Sequence, residues 1–128
     1  MKKFALLDNY IVSDSENNLL SKDAVIIPED FWWSLTDSRT ETDELMIWNE
    51  NNYIPVFIGS DISEIMKSYI KAYTILKDKQ KNLDIEKTES LKVCFNESIE
   101  MLLFSFDSMA KFLAYPETQK KLKMLDMN

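Results

Sequence analysis

At 128 residues, with 45% hydrophobic and 12% aromatic content, the chain has the length and apolar mass of one domain with its own core, which excludes a disordered linker. It has no histidine and one each of glycine, arginine and cysteine (Gly59, Arg39, Cys94), which excludes glycine-rich phosphate cradles, arginine clamps and an internal disulfide. The net charge is −7 and unevenly placed: residues 1–64 hold 13 acids against four bases, a net of −9, whereas residues 65–128 net +2.

A field of that sign repels nucleic acid and anionic membranes and attracts basic proteins. No run approaches the roughly 18 apolar residues of a membrane span. The apolar run from Phe4 to Leu7 is cut by Asp8 and Asn9, too short for a signal peptide, so a cytoplasmic location is expected.

In chain order, Phe4 to Val12 predicts a strand, and Ala24 to Ile27 another, stopped by Pro28. Phe31-Trp32-Trp33 fits a strand or the first turn of a helix following Pro28-Glu29-Asp30. Glu44 to Trp48 and Tyr53 to Ile58 predict a hairpin joined by Asn49-Glu50-Asn51-Asn52. Pro55 cannot donate to a ladder, so its run belongs at a sheet edge or in a bulge.

The second half changes period. Ile62, Ile65, Met66, Tyr69, Ile70, Tyr73 and Leu76 share one face of a helix, with Asp61 and Glu64 as a capping pair after the break at Gly59-Ser60. The polar stretch Asp78 to Ser90 predicts a connection or a fraying helix end. A second helix is predicted over Leu91 to Leu113, its main stripe Phe95, Ile99, Leu102, Leu103, Phe106, Ala110 and Leu113, with Met101, Met109 and Phe112 beside it. Most of its circumference is expected to be buried, leaving a narrow strip of Glu97, Glu100, Asp107, Ser108 and Lys111 in which Phe104 is the one apolar intruder. Pro116 suits the first position of a short last helix carrying Leu122 and Leu125. The expectation is one α+β domain over residues 1–128, β-rich in 1–59 and α-rich in 60–128, with a small antiparallel sheet packed against two or three C-terminal helices.

No motif carries chemistry. Cys94 has no histidine to activate it and is expected to be a small buried apolar residue. Asp14-Ser15-Glu16-Asn17-Asn18 resembles the start of a calcium loop, but the sixth position is Leu19 and the twelfth Val25, where such a loop needs Gly and Glu. Asn96-Glu97-Ser98 matches a glycosylation pattern inside a predicted helix and carries no weight. No carboxylate pair is singled out by spacing, so no enzyme activity, metal or cofactor is expected.

The constellation that stands out is aromatic residues set among acids: Glu29 and Asp30 before Trp32 and Trp33, then Asp37, Glu41, Asp43 and Glu44, then Trp48 followed by Glu50. Tryptophan supplies large contact area at interfaces, and carboxylates around it orient and speed the encounter with a basic surface. The alternative is that the tryptophans belong to the core and the acids keep the protein soluble, and the sequence leaves both open.

A nuclease needs a positive groove for its phosphate substrate, and a small acidic protein fits against one. The expected function is therefore an acidic binding module, monomeric or homodimeric, that neutralises a basic protein such as a toxin nuclease, as bacterial immunity proteins do. The second expectation is a self-assembling structural or regulatory domain using the apolar helix and the strand at Tyr53 to Ile58.

Overall fold

The computed structural model describes residues 3–14, 23–32, 35, 55–82 and 89–126. Among them are four strands, β1 (Lys3–Leu7), β2 (Tyr10–Asp14), β3 (Val25–Ile26) and β4 (Val56–Phe57), in one antiparallel sheet of order β3-β1-β2-β4. Three helices follow, α1 (Gly59–Lys81), α2 (Glu89–Ala114) and α3 (Pro116–Asp126). The architecture is α+β, with the sheet in the first half and the helices in the second.

The run Phe4 to Val12 is not one strand but a tight hairpin. Asp8 and Asn9 form a two-residue loop between the paired Leu7 and Tyr10, and Asp8 takes a φ of 52°, a left-handed value that Asp tolerates better than most residues. Apolar residues on both sides of that polar pair make it look continuous in sequence. Period-2 alternation then puts Phe4 and Leu6 on the core face of β1, both fully buried.

β3 pairs with β1 through Ala5↔Ile26 and Leu6↔Val25, and the Ile27 amide extends the pairing to Phe4 O at 2.9 Å before Pro28 ends it. Pro28 opens a single 3₁₀ turn, Glu29–Phe31, so the aromatic run begins as a helical turn and not a strand. β4 lies at the other edge beside β2, as Pro55 requires. Glu44 to Trp48 and the loop to Asn52, the rest of the expected hairpin, lie outside the described residues.

α1 starts three residues before Ile62, with Ile58 as its N-cap and no side-chain cap bond, so the expected pairing of Asp61 with Glu64 is not what starts it. The hairpin tip does this instead. Asn9 O accepts the amides of Ile58 (2.8 Å) and Gly59 (3.2 Å), and the Ser63 hydroxyl donates to Asp8 O at 3.0 Å. Gly59 makes the bend with a φ of +82°. The helix continues through Asp78 to Lys81, where the polar composition predicts a connection, and Asn82 closes it by donating its side-chain amide to Asp78 O at 3.1 Å.

One core joins the layers: Phe4, Leu6, Ile11, Ile27, Val56 and Ile58 from the sheet side meet Met66, Ile70 and Tyr73 of α1 and Ile99, Phe106, Ala110 and Leu113 of α2. Phe31 sits at its centre, with ring centroids 4.4 Å from Phe106 and 5.0 Å from Tyr73. α3 is tied to the sheet by Gln119. Its side-chain amide accepts from the Phe57 N–H at 2.8 Å and donates to Phe57 O and Leu113 O, both at 2.7 Å.

Candidate functional site

The 3₁₀ turn positions three of the residues singled out in the sequence. Glu29 and Asp30 are exposed on it, while Phe31 turns inward between α1 and α2. Trp32 follows, half-buried, its indole N–H donating to Ile27 O at 2.7 Å and its ring meeting Phe4 edge-to-face at 6.3 Å. Part of the indole therefore belongs to the packing of the turn, and its polar edge is already used.

Asp30 is engaged as well. Its carboxylate accepts a hydrogen bond from the Tyr73 hydroxyl, and Lys77 Nζ lies 3.9 Å from the same oxygen and 5.7 Å from the Tyr73 ring centre. The exposed ion pair adds little on its own, but with the hydroxyl bond it fastens the turn to α1. Trp33, Asp37, Glu41, Asp43, Glu44, Trp48 and Glu50 lie outside the described residues.

Elsewhere in the first half, Asp8, Asp23, Asp61 and Glu64 are exposed, as are Glu29 and Asp30. Asp61 in the first turn of α1 gains from the helix dipole, and the hairpin tip brings Asp8 to the same end of that helix. Tyr73 and Lys77, which hold Asp30, lie about 18 and about 24 Å further along α1 from Asp61 at 1.5 Å per residue. Asp8 and Asp61 thus lie at one end of α1, and Asp30 packs against a later stretch of the same helix.

Two expectations about α2 are corrected. Met101, Phe104 and Phe112 are 70%, 71% and 63% exposed, so the helix is not buried around most of its circumference. Cys94 is also exposed: it lies on the side of α2 away from Ile99 and Phe106, in the first turns, where Leu91 and Val93 are exposed as well. Glu97, Glu100, Met101, Phe104 and Ser105 together line an open depression on that outer side. The sequence signal for this feature is Phe104 among Glu97 and Glu100, a bulky ring on the only polar strip.

Among the described residues, no three Cys, Asp or Glu side chains converge as a metal site would, and no helix is long and apolar enough to cross a membrane. The chain matches no family model, no curated protein and no solved structure. A functional reading therefore rests on the residues themselves.

Proposed function

We propose that the chain is an acidic, non-catalytic binding module that captures and neutralises a basic protein, of the kind that bacterial immunity or antitoxin proteins represent. The observation that carries this reading is the charge distribution: a net of −9 in residues 1–64. In that half, Asp8, Asp23, Glu29, Asp30, Asp61 and Glu64 are all exposed, against Lys3 as the single base among the described residues. Acids left at the surface act at a distance on an approaching cation, whereas acids consumed in buried pairs do not.

The test is capture from native cytoplasm at low salt, with identification of what high salt releases. A basic protein is expected. Charge reversal at Asp37, Glu41, Asp43 and Glu44 to Lys is then expected to slow its association steeply at low salt and little at high salt. A captured set without any basic protein defeats the reading.

The self-assembling alternative would have to use an edge that is already engaged at Phe57. The outer edge of β4 is occupied by Gln119, so another strand cannot pair at Phe57 without displacing that amide.

A further inference from the structure

α2 carries apolar side chains on two opposite sides. Ile99, Phe106, Ala110 and Leu113 are buried on the inner side, whereas Met101 and Phe104 lie open on the outer one. At 100° per residue, Phe104 points roughly 160° away from Phe106. Single exposed apolar residues are ordinary on any surface. Here Met101 and Phe104 are neighbours at i, i+3 spacing and share one open depression with Glu97, Glu100 and Ser105 on the same side of the helix.

We propose that this outer face of α2 is the docking surface for a basic amphipathic helix of the partner protein. The proposal rests on the reading of the chain as a module that captures a basic protein, and it names a place and a chemistry for the contact. An apolar ridge of the partner helix lies between Met101 and Phe104, and its Lys or Arg residues reach Glu97 and Glu100. The apolar contact supplies the affinity, and the two carboxylates set orientation and encounter rate.

Charge decides between this occupant and a second copy of the same chain. The outer side carries exposed Glu97 and Glu100, while Lys111 is already bound to Asp107 at 3.4 Å on the same helix. A two-fold antiparallel contact centred on Phe104 would bring Glu97 of each copy toward Lys111 of the other. It would leave Glu100 of each copy without a cation and bring two net-negative faces together. A basic helix satisfies both glutamates.

The test uses the full chain and a fluorescein-labelled synthetic helix of Leu and Lys, with Leu at i, i+3 and i+4 spacing, read by anisotropy. A Ser and Lys peptide of equal charge controls for attraction without an apolar ridge. Wild type is expected to bind the Leu and Lys helix more tightly than the control. Met101→Ser with Phe104→Ser is expected to weaken binding at least about tenfold at unchanged charge. Glu97→Gln with Glu100→Gln is expected to weaken it chiefly at low salt. Because these side chains are exposed, the thermal unfolding midpoint should stay near that of wild type, which separates lost docking from lost folding.

Binding by the Met101 and Phe104 variant equal to wild type overturns the docking surface. So does wild type failing to prefer the amphipathic helix; capture of a basic protein from cytoplasm then still stands or falls separately. Sedimentation supplies the remaining outcome: a wild-type dimer that Phe104→Ser converts to monomer assigns the face to a second copy and overturns the proposal.

Discussion

Gln119 pairs with Phe57 as a neighbouring strand would, accepting from its N–H at 2.8 Å and donating to its carbonyl at 2.7 Å. Because both backbone groups of Phe57 point to α3, the opposite pair Tyr10↔Phe57 is a non-hydrogen-bonded one, where side chains approach closely. Their rings meet edge-to-face at 5.2 Å. A side-chain amide from a helix thus closes an edge that would otherwise be a template for another chain.

Replacing Gln119 by Leu keeps an apolar bulk but strands the amide and carbonyl of Phe57 and removes one partner of Leu113 O. Each buried backbone group left unpaired costs about 1–3 kcal/mol, so a loss of about 3 kcal/mol or more is expected in urea unfolding. Gln119→Glu should fail as well, since a carboxylate accepts from Phe57 N–H but cannot donate to either carbonyl. A Leu variant as stable as wild type would show that this edge is satisfied in some other way.

Gly59 begins α1 with a φ of +82°, and a Cβ built there meets nothing within 4 Å. The cost of a side chain is therefore backbone strain alone. Gly59→Ala is expected to lower stability by about 1–2 kcal/mol, the penalty of a left-handed L-residue. Gly59→Asn should lose less, because Asn visits that region more readily. If Ala and Asn prove equally harmful in thermal unfolding, contact and not conformation is the cause.

What the residue pattern reveals and what it hides follow from the range of the interactions involved. Met66, Ile70 and Tyr73 announce the buried face of α1 because helical spacing is local, and all three are buried. Its start is hidden: the amides of Ile58 and Gly59 go to Asn9 O, a partner about fifty residues away that no local rule anticipates. Edge placement of β4 is legible from Pro55, since a missing donor acts wherever the chain goes.

The candidate site is legible in the same partial way. Clustering of acids with aromatics is visible in the sequence, but the Trp32 indole bond to Ile27 O and the Tyr73 hydroxyl bond to Asp30 depend on how the 3₁₀ turn folds back. The outer face of α2 is concealed for another reason. When apolar residues occupy both sides of a helix, periodicity alone does not say which side is covered.

Cys94 offers a direct chemical check on that orientation. It is exposed on α2, so a maleimide or disulfide reagent is expected to modify it fully without denaturant. Cys94→Ser is expected to change stability by no more than about 0.5 kcal/mol, as for other surface substitutions. Modification that waits for urea would place the thiol inside and rotate α2 away from the arrangement described.

Phe104 and Phe106, two residues apart on α2, test the two-sided character of that helix most sharply. Phe106 is fully buried against Phe31, whereas Phe104 is 71% exposed. Truncating a buried Phe to Ala removes its transfer energy and leaves a cavity, so Phe106→Ala is expected to cost about 3–5 kcal/mol. Phe104→Ala is expected to stay within about 0.5 kcal/mol of wild type, because its ring already faces solvent in the folded state. Both are read from urea midpoints at unchanged slope, since a changed slope signals altered compactness and spoils the comparison. The same substitution at two sites on one helix thus has such unequal effects only if the outer ring is spare as far as folding is concerned. That spareness leaves Phe104 free to serve an interface, and a large loss at Phe104 would show it to be part of the core.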